Sequence, residues 1–406
     1  MLTGQGSGSP AALRKMNVAR VLETIRTHGP LTRQGIGVLT GLSKPTVNEV
    51  VDLLVGKDLI FLGSPTQKLD NPRPGPRAQQ IYYNQFRKMI VGVDVGGSTI
   101  RVLLSDLDGK IISSLRGATP IDEGRQKILE AIAGLVLQII SENSITKKQI
   151  GCVVVGTPGT INFTSRKVTI APQLPDWENF SIPDELNKML GISIFVENEA
   201  HLAVYGENWK GGAVELSNVA IISIGVGVGL GLMINKNVYR GAEGSAGEIG
   251  NLPITIEDAS SNFELEASAT GIERAFKKFS KDPLAKSIIN ANKGKNITAK
   301  IIYEAATIKN KLAVALVREQ IDLIGRGMAA ICCIINPEVF IIMGGLAPSI
   351  EKYLPEIQRV IAKFAPSTPK LQITQLEDLS TAIGALRVGI EEVERSAIRK
   401  LLSIGT

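Results

Sequence analysis

Apolar side chains recur at Val18, Val21, Leu22 and Ile25, a spacing that puts them on one face of a helix. His28-Gly29-Pro30 closes that helix. Thr32 is placed to cap a short second helix carrying Ile36 and Leu39, and Gly41-Leu42 makes a turn. Ser43 caps a third helix whose buried stripe is Val47, Val50, Val51 and Leu54. Pro45 falls in its first turn, where backbone amides have no intrahelical partner to lose. Leu59 to Gly63 and Gln79 to Tyr83 read as paired short strands. Pro65, Pro72, Pro74 and Pro76 forbid a regular element between them. Helix, helix, tight turn, helix, strand, basic loop and strand is the layout of a winged helix-turn-helix, expected over residues 1–84.

After Arg87-Lys88 the pattern changes to apolar strands that run into glycine or carboxylate. Met89 to Asp106 reads as strand, glycine turn and strand, and Val219 to Ile234 repeats it. Ile150 to Val155 leads into Gly156-Thr157-Pro158-Gly159, Ile194 to Val196 into Glu197-Asn198-Glu199-Ala200, and Val339 to Met343 into Gly344-Gly345. The two hairpin units, each followed by helical sequence, predict an α/β body of two related lobes with a cleft between them. The lobes are expected at 85–200 and 201–406, with the C-terminal helix returning to the first. Asp94-Val95-Gly96-Gly97-Ser98 lacks the spacing of a P-loop. Its glycines would let backbone amides approach a phosphate, and Asp94 would reach magnesium through water. A hairpin whose glycines take positive φ is the plain alternative.

Composition narrows the class. The chain has 406 residues, 44% hydrophobic and 21% charged, which excludes wholesale disorder and predicts more than one domain. Its 41 glycines follow no collagen period. The three cysteines do not make a disulfide framework, and Cys332 and Cys333, in the apolar run 328–335, are expected to be buried. With His28 and His201 as the two histidines, neither a C-x-x-C nor an H-E-x-x-H zinc site can be built. His28 reads as a helix-end residue. The N-terminus lacks the apolar core of a signal peptide, and the longest uncharged apolar stretch, Val219 to Ile234, is short for a membrane span. A cytoplasmic protein without a membrane partner is expected.

Charge is unevenly placed. Residues 1–88 hold 12 Lys/Arg against 5 Asp/Glu, and the remainder 33 against 34, so the net +6 comes from the front module. A basic module on a near-neutral body points to a polyanionic partner, here operator DNA. Lys44, Thr46 and Asn48 would face base edges from the third helix. Arg33, Lys44, Arg73 and Arg77 would reach phosphates, with the two wing arginines also suited to the minor groove. A solvated basic surface, or a winged helix used for protein contacts, stays open. One winged helix contacts little DNA, so a homodimer or higher homo-oligomer formed through the body is expected.

The motifs together resemble the ROK family (repressor, open reading frame, kinase). The resemblance implies the two-lobed actin-like sugar-kinase fold, which is ribonuclease H-like, with a winged helix in the repressor branch. It implies ATP and Mg2+ at a first phosphate motif of Asp94, Gly96, Gly97, Ser98 and Thr99, a second of Gly225, Gly227 and Gly229, and an adenosine motif of Gly344-Gly345. Glu199 occupies the place of the catalytic Asp in the family's E-N-D-A segment. Sugar contacts would come from Gly159, Gln173, Asn198, Glu199, Glu248, Asn251 and Glu266, the last in Leu265-Glu266-Ala267-Ser268, similar to L-E-x-x-x-S.

Three departures stand out. Glu199 carries its carboxylate one methylene further than Asp, and a displacement of about 1 Å can cost about 10²-fold in rate. Asn251 replaces the His of G-E-x-G-H, and Thr255 to Phe263 holds no cysteine, so no structural zinc and no other metal site is expected. Gln173 replaces an Asn, and His201 stands in the place of a second Asn. The reading is a sugar-responsive DNA-binding transcriptional repressor with a kinase-like sensor body. The alternatives are an ATP-dependent sugar kinase of glucose or N-acetylglucosamine type that keeps a DNA-binding module, and a scaffold without either function.

Overall fold

The computed structural model describes residues 10–63, 79–162, 165, 167–171, 174, 176–254 and 261–403. Arg73, Arg77 and Gln173 lie outside the described residues. Three helices come first: α1 (Pro10–His28), α2 (Arg33–Thr40) and α3 (Lys44–Val55). Thr32 Oγ1 accepts the Gly35 amide at 3.1 Å and Ser43 Oγ accepts the Thr46 amide at 3.4 Å, so both predicted caps are in place. Gly41 takes φ +68° at the end of α2, a left-handed conformation that glycine adopts without a Cβ clash. Val18, Val21, Leu22 and Ile25 of α1 meet Ile36 and the Val47, Val50, Val51 and Leu54 stripe in one core. The antiparallel strands β1 (Ile60–Gly63) and β2 (Gln80–Tyr83) close it with Ile60 and Ile81. Leu39 departs from the expected core: it is 50% exposed beside Val38 at 77%. An eight-residue helix buries only one face, and here that face is Ile36 and Thr40, one turn apart.

The body contains two five-stranded sheets of the same plan. In the first, β3 (Met89–Val95), β4 (Thr99–Ser105) and β5 (Ile111–Ala118) are antiparallel. After α4 (Arg125–Glu142), β6 (Ile150–Thr157) joins β3 in parallel. A small ribbon, β7 (Thr160–Asn162) and β8 (Lys167–Ile170), and α5 (Ile182–Leu190) precede β9 (Ile194–Asn198), which lies parallel to β6, giving the order β5-β4-β3-β6-β9. Helix α6 (Glu199–Lys210) leads to the second sheet, where β10 (Val219–Ile224), β11 (Val228–Ile234) and β12 (Asn237–Val238) are again antiparallel. Five helices follow: α7 (Phe263–Ala267), α8 (Ala269–Lys278), α9 (Pro283–Ala291), α10 (Ala299–Thr307) and α11 (Lys311–Ile335). Then come β13 (Val339–Met343), α12 (Ala347–Ile350), α13 (Leu354–Phe364), β14 (Lys370–Ile373) and α14 (Ser380–Ser403). β13 and β14 add in parallel, giving β12-β11-β10-β13-β14.

Cys332 is buried as expected, but Cys333 is exposed. Consecutive helical residues point about 100° apart, so the inward face of α11 takes Met328, Ile331 and Cys332 and turns Cys333 and Ile334 to solvent. No helix of the described residues is long and apolar enough to cross a membrane.

α14 comes back to the first sheet, where Ala382, Ala385, Leu386 and Ile390 pack on Ile90, Leu103, Cys152 and Val154. On its way it crosses α6 with the two backbones in contact. A Cβ on Gly206 would fall 2.1 Å from the Ser380 carbonyl oxygen, and one on Gly384 would fall 1.8 Å from that of Leu202. Gly206→Ala must therefore push the helices apart. Overpacking of this kind costs about 1–3 kcal/mol, and urea unfolding of the variant is expected to show a loss in that range.

Candidate functional site

Open α/β sheets bind ligands at the carboxyl ends of their parallel strands. In the first sheet the register sets Asp94 of β3 beside Gly156 of β6, and Gly156 beside Glu197 of β9. Glu199 begins α6 directly after β9. In the second sheet β10 ends before Gly225 and β13 before Gly344. The two sets of strand ends face each other across a cleft with two connected cavities.

The larger cavity, about 750 Å³, is bounded by Asp94, Gly96, Glu199, Gly344, Gly345 and Thr381. The smaller, about 440 Å³, is bounded by Gly159, Asn198, Glu248, Asn251 and Glu264 and by the glycines Gly97, Gly225, Gly227 and Gly229, with Ser98. Gly96, Glu199, Gly344 and Gly345 border both. Glu199 thus sits at the junction. Gly344 has φ +93°, and its Cβ would meet the Ile224 carbonyl at 2.6 Å, so the strand-to-helix turn needs glycine there.

Asn198 is an N-cap before it is anything else. Its Oδ1 accepts the amides of Ala200 (2.8 Å) and His201 (3.2 Å), while Nδ2 donates to the Gly159 carbonyl at 2.9 Å. These bonds hold Glu199 at the helix start and tie it to the β6–β7 turn. Thr160 Oγ1 donates to Glu248 at 3.3 Å, orienting that carboxylate along the cavity wall. Behind them, Glu197 is clamped by His201 Nδ1 (3.1 Å) and Arg240 Nε (2.9 Å). Burial raises its pKa, but His201 and Arg240 outweigh burial and hold it below the usual carboxylate range. His201 is a fully buried helix residue, with Nε2 3.4 Å from the Ala246 carbonyl.

The front carboxylates shift the other way. Burial, offset in part by Arg101 and reinforced by Asp378, pushes Asp94 up to about 7. Burial together with Asp94 and Glu248 pushes Glu199 up to about 8.

A profile of the ROK family matches residues 90–391. The chain belongs to the ROK family. A putative xylose repressor of Caldicellulosiruptor sp. (strain Rt8B.4) is 26% identical over 396 residues, covering 95% of this chain and 98% of that protein. A glucokinase of Thermotoga maritima is 29% identical over 289 residues, covering 68% of this chain and 89% of the enzyme. A solved ROK family transcriptional regulator, a homolog of the E. coli Mlc protein, superposes with a TM-score of 0.78 at 19% identity, over 96% of this chain and 99% of that one. The actin-like sugar-kinase fold of the family is therefore the fold of this body.

Two expected placements change within this ROK site. Glu266 borders neither cavity; its carboxylate pairs with Arg274 at 2.5 Å. Glu264 borders the smaller cavity instead and accepts the Val228 amide at 2.9 Å. The cause is helical: residues two apart point to opposite sides, and the spacing E-x-x-x-S counted back from Ser268 selects Glu264. Thr99 lies in β4 and borders neither cavity.

Sequence reasoning also missed Arg101. It faces Asp94 across the β3–β4 pair, 3.6 Å away, and its Nε donates to Asp378 at 2.7 Å. The hairpin register could have paired Asp94 with Arg101, but no local signal brings in Asp378, some 277 residues away. In the front module, Lys44 is exposed at the start of α3 and Thr46 and Asn48 are partly exposed. Arg33 is not free: it donates to the Asn48 carbonyl at 3.1 Å and pairs with Asp52 at 2.5 Å, which fixes α2 on α3.

The raised Glu199 has a consequence for stability. Between its unfolded value of 4.5 and about 8, the folded protein keeps a proton that the unfolded chain has released. Stability therefore falls as pH rises through that window. Glu199→Gln removes this loss. Its melting temperature is expected to exceed the parent's at pH 8.5 and to converge with it below pH 5, measured by calorimetry across pH.

Proposed function

We propose that the protein is a sugar-responsive, DNA-binding transcriptional repressor, with residues 1–84 as the reader and the two-lobed body as the sensor. The observation that carries this reading is where the similarity stops. The match to the glucokinase covers 68% of this chain, whereas the match to the xylose repressor covers 95%, front module included. The front module has three helices, two of them capped, and a hairpin, carries the excess positive charge, and presents Lys44, Thr46 and Asn48 at the start of α3.

The cleft supports sensing over catalysis. Glu199, raised to about 8 by burial, Asp94 and Glu248, is mostly protonated at neutral pH. Besides Glu199, the larger cavity is bordered by Asp94, Glu351, Glu377 and Asp378 against Arg101 and Arg116, an acidic balance that disfavours a triphosphate. Its best-placed cation, Arg101, is already engaged by two carboxylates. The ATP that the family implies fits these residues poorly. The smaller cavity is suited to a neutral polyol: carboxylates and amides accept and donate to hydroxyls, and glycines leave room for the ring. A pentose is the first effector to test, followed by hexoses. The repressor is expected to act as at least a dimer assembled through the body.

Fluorescence anisotropy with promoter duplexes, with and without a panel of sugars, tests this reading. A sugar that changes DNA affinity supports it. ATP-dependent phosphorylation of a sugar at rates of about 10 s⁻¹, ordinary for enzymes, would establish the kinase instead. Asn48→Ala is expected to cost about 1–3 kcal/mol on the specific duplex and much less on random duplex, as for a side chain that reads a base edge. Equal weakening on both would make Asn48 a positioning contact.

A further inference from the structure

α14 is 24 residues long, about 36 Å at 1.5 Å per residue, and its two ends lie in different parts of the protein. Its first turn is in the cleft. Thr381 borders the larger cavity, and its hydroxyl donates to the backbone carbonyl of Glu199 at 3.3 Å. Ser380 Oγ donates to the buried Glu207 of α6 at 2.6 Å. Its far end leaves the first sheet and reaches the front module, where Ala397 and Ile398 pack on the three-helix core. Glu394 accepts the Tyr83 hydroxyl of β2 at 2.7 Å, with Arg26 and Glu23 of α1 and Arg387 of α14 around it.

Between these ends the helix cannot slide past its neighbours. Gly384 is in backbone contact with α6, and a Cβ on Gly389 would fall 2.4 Å from Ile90 Cγ2 in β3. Close-packed elements of this kind move as units rather than deform gradually.

We propose that α14 is the coupling element of the protein: a ligand that repositions the start of α6 moves the α6–α14 pair. The Tyr83–Glu394 bond and the Ala397/Ile398 contact then carry that movement to the front module. The biological meaning of this link rests on the sensor-and-reader assignment above, but the mechanical link does not. Coupling between sites typically amounts to about 5–150-fold in affinity.

Two measurements on the full-length protein separate the two claims. The first is hydrogen exchange of the α1 amides, residues 15–28. Thr381→Val removes the hydroxyl link at the cleft end and is expected to change exchange in α1 at least three-fold. The control Ile132→Val, on the buried face of α4, is expected to leave it unchanged. Gly384→Ala is a stronger wedge at the crossing, and should it fail to fold, Thr381→Val decides alone. Unaltered α1 exchange in Thr381→Val overturns the proposal.

The second is sugar-modulated DNA binding of Tyr83→Phe, which loses only the hydroxyl. Its separate affinities for duplex and sugar are expected within two-fold of the parent. The change in DNA affinity on adding sugar is expected to shrink at least five-fold. A full response in Tyr83→Phe also overturns the proposal. A parent protein that binds neither duplex nor sugar defeats the repressor assignment, while the exchange measurement still decides the coupling.

Discussion

The α6–α14 crossing is the contact on which the rest of the body depends. Gly206 and Gly384 let two helix backbones touch, and buried Glu207 secures the junction by accepting from Ser380, Thr374 and the Gly212 amide. Thr374 follows the last strand of the second sheet, whereas α14 packs on the first. One carboxylate therefore ties together the two lobes and the helix between them. A buried charge is tolerated only when its oxygens are fully engaged, as they are here. Because α6 starts at Glu199, the same crossing sets where the cleft carboxylate stands.

The cleft divides its charges into two groups with opposite behaviour. Glu197, held by His201 and Arg240, stays ionised and structural. Asp94 and Glu199, buried near each other, are pushed up to about 7 and about 8. The arrangement keeps the strand ends of a kinase-type fold while lining the larger cavity with acidic groups and an arginine already paired with carboxylates. It leaves intact a polar cavity of the size and chemistry that hydroxyl-rich ligands require.

Much of this was legible in the chain. Helical spacing in the front module, its two cap residues and the strand–glycine–strand repeat follow from local rules, because caps and periodicity act over a few residues. They placed Thr32 and Ser43 as caps and the Val47–Leu54 stripe in the core. Local pattern failed where burial depends on what lies opposite. Leu39 and Cys333 are apolar residues in helices, yet they point away from the only faces their neighbours cover. Glu264 and Glu266 differ by two positions and by which side of a short helix meets the cavity.

By itself, then, the sequence determined the element order, the uneven charge and the family, since each rests on residue type at short range. Only the tertiary structure decided which carboxylates are raised and which lowered, that Arg101 spends its charge on Asp94 and Asp378, and that Arg33 is bound to α3. It also decided that the last helix joins the cleft to the front module. Those outcomes depend on desolvation and on partners hundreds of residues apart, such as Tyr83 and Glu394, which no window of sequence brings together.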